Sequence, residues 1–143
     1  MSVLSDRPDR AVTIGRGPGE TGHRPSLLLT TSPAPDDFAV VVAEGEIDAA
    51  NAEAMGDYAV RAAHRGHRLL LDFSKVKFFG TAGFSALHHM NVRCAEAGVQ
   101  WVMLPSPAVA RVLRICDPEG VLPVRGTVEA GLAVLAGEAE SLE

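Results

Sequence analysis

The chain has 143 residues, 47% hydrophobic and 22% charged, with a net charge of −5, an ordinary profile for one globular domain. No apolar run approaches the roughly 18 residues of a membrane span, and Met1 to Arg10 lacks the apolar stretch of a secretory signal, so no membrane insertion is expected. The acidic balance argues against direct nucleic-acid binding, which rests on a basic surface, and two cysteines, Cys94 and Cys116, are too few for a disulfide framework and point to a reducing, cytoplasmic setting.

Residues 1–25 read as a disordered leader. Pro8, Gly15, Gly17, Pro18, Gly19, Gly22 and Pro25 interrupt it, and only Ala11-Val12-Thr13-Ile14 could pair as a short strand. So few apolar side chains do not offset the entropy of ordering. The Gly15-Arg16-Gly17-Pro18-Gly19 run lacks the Lys-Ser/Thr ending of a phosphate loop. The folded domain is expected over 26–136, with 137–143 as a polar end.

From Ser26 the pattern changes. Leu27-Leu28-Leu29 and the β-branched run Phe38 to Val42 predict two strands of a hairpin across the turn residues Ser32 to Asp37. Gly45-Glu46-Ile47-Asp48 closes the second strand, with Asp48 as N-cap of a helix that turns Met55, Tyr58/Ala59 and Ala62 inward and stops near Gly66. Leu69 to Phe73 is a buried strand. Leu87, Met90, Cys94 and Ala97 form the stripe of a second helix, ended by Gly98. Trp101 to Leu104 is a strand, and Ser106-Pro107 opens a third helix with a hydroxyl N-cap and proline at the first position. Its apolar face is Val109, Val112/Leu113 and Cys116. Val121 to Val124 reads as a short edge strand, since Pro123 has no N–H to donate. Thr127 caps a last helix with Val128, Leu132 and Leu135 inward. The order ββαβαβαβα predicts an α/β fold: a small mixed β-sheet with an N-terminal hairpin and about four helices packed on it.

The sharpest local feature is Phe78-Phe79-Gly80-Thr81-Ala82-Gly83-Phe84, a strand-to-helix junction in which two aromatics are expected to bury the strand end. A hydroxyl at a helix start is most often an N-cap. It can also accept a phosphate, whose −1.5 to −2 charges (about, at pH 7) suit the first-turn N–H groups and the helix dipole. Glu44, Glu46, Asp48 and Asp72 lie at strand ends, and several of them are expected near the end of the sheet that holds Thr81, as caps and a solvated acidic rim rather than an acid/base pair. His64, His67, His88 and His89 do not have the spacing of a metal site. One of His88 and His89 is expected to face the core. No Gly-x-Ser-x-Gly elbow is present, so no metal, cofactor or catalytic residue is expected.

Four segments, in order, carry a family resemblance. Val41-Val42-Ala43-Glu44-Gly45-Glu46-Ile47-Asp48, Leu69-Leu70-Leu71-Asp72-Phe73-Ser74-Lys75-Val76, Phe79-Gly80-Thr81-Ala82-Gly83-Phe84 and Pro105-Ser106-Pro107-Ala108-Val109-Ala110-Arg111-Val112-Leu113 resemble the successive motifs of STAS domains, the module of bacterial anti-sigma-factor antagonists. The likeness covers about 110 residues, from 26 to 136. It implies partner switching. The unphosphorylated antagonist binds an anti-sigma factor of the GHKL serine/threonine kinase type, is released on phosphorylation, and is restored by a PP2C-like phosphatase. By position, the resemblance makes Thr81 the phospho-acceptor and places partner binding on Asp48, Asn51, Gly80, Ala82, Gly83 and Phe84. Two departures stand out: Gly80 replaces the family's Asp, and the acceptor is Thr rather than Ser. The alternative is a STAS interaction module that is not phosphorylated, acting as an orphan antagonist, a scaffold or a partner in a transport complex.

Overall fold

The computed structural model describes residues 10–14, 26–34 and 38–137. In chain order these form β1 (Arg10–Ile14), β2 (Leu27–Ala34), β3 (Phe38–Ile47), α1 (Ala52–Gly66), β4 (Arg68–Phe79), α2 (Thr81–Ala97), β5 (Gln100–Leu104), α3 (Pro107–Cys116) and α4 (Val128–Leu135). The five strands make one sheet in the order β1-β2-β3-β4-β5. The β1·β2 and β2·β3 pairs are antiparallel, and β3·β4 and β4·β5 are parallel. This is the expected mixed α/β sheet with its opening hairpin.

Alternation along the strands makes two faces. Leu27, Leu29, Ala39, Val41, Ala43, Ile47, Leu69, Leu71 and Phe73 join the core beneath α1, α2 and α3. Leu70, Val102 and Leu104 point the other way and are covered by Val134 and Leu135 of α4. Each helix brings its own apolar stripe: Met55, Ala59 and Ala62 from α1, Leu87, Met90 and Cys94 from α2, and Val109 and Leu113 from α3.

Several expectations need correction. Arg10–Ile14, read with the leader, is an edge strand whose Ile14 pairs with Leu27; the expected leader otherwise lies outside the described residues, as do Pro35 to Asp37 and the end beyond Gly137. The strand expected at Val121 to Val124 shrinks to one bridge, Met103 to Val124. The Pro123 carbonyl accepts from Met103 N at 2.8 Å, but proline has nothing to donate, so the ladder stops. β4 extends past Phe73 to Phe79. Ser74, Lys75 and Lys77 break its apolar run, yet parallel pairing with β3 continues through two register shifts. In α4 the inward stripe is Gly131, Val134 and Leu135, while Val128 is exposed and Leu132 half-buried. Gly131 sets this register, because a Cβ there would come within 2.8 Å of Leu70 Cδ1. Ala97 is exposed in the last turn of α2, where the chain leaves the core at Gly98.

Candidate functional site

The parallel strands β3 and β4 both end at the same sheet edge, and each hands the chain to a helix there. At the first corner, Gly45 has φ +126, and a Cβ would lie 2.4 Å from Ser26 O. Only glycine fits that backbone. The next residues turn into α1 under the control of Asn51. Its Oδ1 accepts from Asp48 N at 3.0 Å and its Nδ2 donates to Glu46 O at 2.9 Å. Asn51 is 2% exposed, so this amide is a buried clamp across the corner. Asp48 is not the N-cap that the sequence suggested. Asn51 holds that position, and the half-buried Asp48 accepts through Oδ1 from Ala50 N at 2.9 Å in a local turn.

At the second corner, Phe79 is buried and Phe78 is 51% exposed, so only one of the two aromatics closes the core. Gly80 N donates to Ile47 O at 2.9 Å, which ties this corner to the first. Gly80, not Thr81, is the N-cap of α2, with extended backbone and no side chain to cap with. Thr81 is therefore the first helical residue. It is exposed, and its hydroxyl has no hydrogen-bond partner among the described residues. Gly83 lets α2 descend onto Phe79: a Cβ there would be 2.4 Å from Phe79 Cε1. Gly83 N closes the turn onto Gly80 O at 2.9 Å.

The candidate contact residues thus divide. Asp48, Gly80, Ala82 and Phe84 are half-buried and present surface, whereas Asn51 and Gly83 are buried. Ala82 lines a groove of about 470 Å³ between α1 and α2, with Ala52, Glu53 and Ser85. The helices approach closely because Gly56 faces Ala86, and Arg93 Nη1 bridges to Asp57 Oδ1 at 2.9 Å across the far end. Phe84, in the first turn of α2, stacks on His88, ring centroids 6.2 Å apart. Both His88 and His89 are exposed, contrary to the expectation that one faces the core. Each falls outside the Leu87-Met90-Cys94 stripe by one position on a 3.6-residue repeat. The groove residues of α1 escaped the sequence reading. The trace they left is small residues four apart, Ala52 and Gly56 on one helix and Ala82 and Ala86 on the other.

Asp72 does not reach this edge. It pairs with Val42 in mid-strand and accepts from Ser74 N and Ser74 Oγ. Among the described residues no group of three or more His, Cys, Asp or Glu side chains converges as a metal site, and no helix is long and apolar enough to cross a membrane.

The STAS domain family model matches residues 31–131. The chain is 38% identical over 101 residues to Osmosensory protein A of Mycobacterium tuberculosis, a match covering 68% of this chain and 64% of that protein's length. It is 32% identical over 112 residues to the anti-sigma-F factor antagonist RsfA of Mycobacterium tuberculosis, covering 76% of this chain and 88% of RsfA. In three dimensions it is similar to the crystal structure of an anti-sigma factor antagonist from Mycobacterium paratuberculosis, with TM-score 0.63 and 19% identity, covering 89% of this chain and 95% of that one.

Proposed function

The chain belongs to the STAS domain family, and from that premise we propose that it is a cytoplasmic anti-sigma-factor antagonist: a binding protein, not an enzyme, that works by partner switching. Its unphosphorylated form binds an anti-sigma factor of the GHKL kinase type. That partner transfers the terminal phosphoryl group of its nucleoside triphosphate to Thr81 Oγ1, and a PP2C-like phosphatase removes it.

The observation that carries this reading is the state of Thr81: an exposed, uncommitted hydroxyl at the first position of a 17-residue helix. A phosphate there would lie beside the first-turn N–H groups of Thr81 and Ala82 and the positive end of the helix dipole. The backbone has little reason to move, because Gly80 and Gly83 already hold the turn. The surface changes instead, gaining about −1.5 to −2 charges between Asp48, the Ala82 groove and Phe84, where the partner would dock. Asn51 and Gly83 would then position that surface without touching the partner.

The unmodified-module reading has one specific observation in its favour: Gly80 puts no carboxylate beside the acceptor. The two readings part on binding. With purified anti-sigma factors from the same organism, the switch predicts that Thr81→Ala binds like the wild type and Thr81→Glu binds at least about a hundredfold more weakly, since an unpaired charge pressed into an interface costs several kcal/mol. Equal binding by all three would leave the unmodified module.

A further inference from the structure

A cavity of about 610 Å³ lies where β4 outruns β5, away from the α1/α2 groove. It is bounded by Ser74–Lys77, Glu44 and the start of α3. Three cations line it: Lys75 and Lys77 from β4 and Arg111 from α3. All are exposed, and none makes an ion pair or hydrogen bond among the described residues. Glu44 is the one carboxylate in the lining and the register partner of Lys75, yet no ion pair joins them. Three unpaired cations around one cavity run against the chain's net charge of −5.

The α3 wall adds neutral donors. Ser106 is 4% exposed, and its Oγ accepts from Val109 N at 3.2 Å. Its own hydroxyl proton has no acceptor among the described residues. Pro107 has no N–H, and Ala108 N is the first-turn donor left without a partner there. A buried hydroxyl with an unused proton is unfavourable until an acceptor is supplied.

We infer that this cavity binds a phosphate monoester or diphosphate group, with Lys75, Lys77 and Arg111 supplying charge and the Ser106 hydroxyl and Ala108 N–H donating to phosphate oxygens. An acceptor-rich anion satisfies both kinds of group at once. The volume is that of a small-molecule site. The inference does not depend on the reading of Thr81, and its test uses the full chain with Thr81 unmodified.

Amide NMR during a titration with sodium pyrophosphate at constant ionic strength reads the site directly. Saturating shifts at Ser74–Lys77 and Ser106–Arg111 are expected. Lys75→Ala and Arg111→Ala should each weaken binding about tenfold, the worth of one charged hydrogen bond, with Tm unchanged. Arg114→Ala, an exposed cation of α3 outside the cavity, should bind like the wild type. Co-sedimentation with phosphatidylcholine vesicles containing phosphatidylinositol 4-phosphate separates the sources: Lys75-dependent pelleting assigns the group to a lipid headgroup, and pyrophosphate binding without pelleting assigns it to a free metabolite. Shifts that never saturate, shifts spread over Arg61, Arg65, Arg114 and Arg125, or cavity variants that bind pyrophosphate like the wild type would overturn the inference.

Discussion

The two corners at the end of β3 and β4 solve the same problem by opposite means. Both pass the chain from a parallel strand into a helix, and Gly80 N to Ile47 O joins them. The first is fixed by a polar side chain, Asn51, which bonds to backbone groups of Glu46 and Asp48 on either side of Ile47. The second uses no side-chain bond. Gly80 caps with backbone alone, and Gly83 removes the atom that would strike Phe79. A corner built that way leaves its hydroxyl free. Had Thr81 been the N-cap, its oxygen would be engaged with the helix, as Ser106 Oγ and Thr127 Oγ1 are with Val109 N and Ala130 N. With the cap one residue earlier, the Thr81 hydroxyl is left unengaged among the described residues.

The largest effect should come from the polar corner. Asn51→Ala removes the buried amide's bonds to Asp48 N and Glu46 O together, and unfolding in urea should show a loss of about 2–3 kcal/mol; a loss under about 1 kcal/mol would mean water replaces the clamp. At the apolar corner, Gly83→Ala drives a methyl into a ring that is itself buried. The overpacking cost of about 1–3 kcal/mol is offset in part by alanine's better helix propensity of about 1 kcal/mol. A net loss near 1–2 kcal/mol is expected in the same assay, and a gain would show that Phe79 swings aside. Thr81→Ala should move stability by less than about 0.5 kcal/mol, as for a surface residue without partners. A larger loss would show that the hydroxyl does cap the helix. Away from both corners, burial pushes the Cys94 thiol up, opposed in part by the Arg93 charge. A thiol raised in the folded state contributes in full below the ordinary thiol range, and the contribution is lost as pH climbs through that range and above. Stability should therefore fall gently on the alkaline side in the wild type and less so in Cys94→Ala. In the same samples Cys94 should react more slowly with thiol reagents than the half-buried Cys116.

The apolar segments were easy to read. Leu69 to Phe73, Trp101 to Leu104 and the Leu87-Met90-Cys94 stripe announce themselves because burial needs apolar side chains at strand or helix spacing. What escaped depends on contacts between distant segments. Ser74, Lys75 and Lys77 look like a loop, and only β3 alongside makes them strand. Asp48 and Asn51 are equally plausible caps in one dimension; in the fold the helix starts after Asn51, whose side chain makes no cap bond and instead spans Asp48 N and Glu46 O. The motif around Thr81 was legible as a strand-to-helix junction, but the one-residue shift of the cap from Thr81 to Gly80 was not, because glycine gives no side-chain sign of capping. Small residues at Gly56 and Ala86 mean a close helix approach only once α1 and α2 are known to pack together.

Peptide-level mass spectrometry of the protein from its native cells, in growth and under stress, reads the state of Thr81. Phosphate on Thr81 is expected, with occupancy that shifts between the two states. A Thr81 found unmodified in both would contradict partner switching and leave a constitutive binding module in which Gly80 marks the missing acid of a switch.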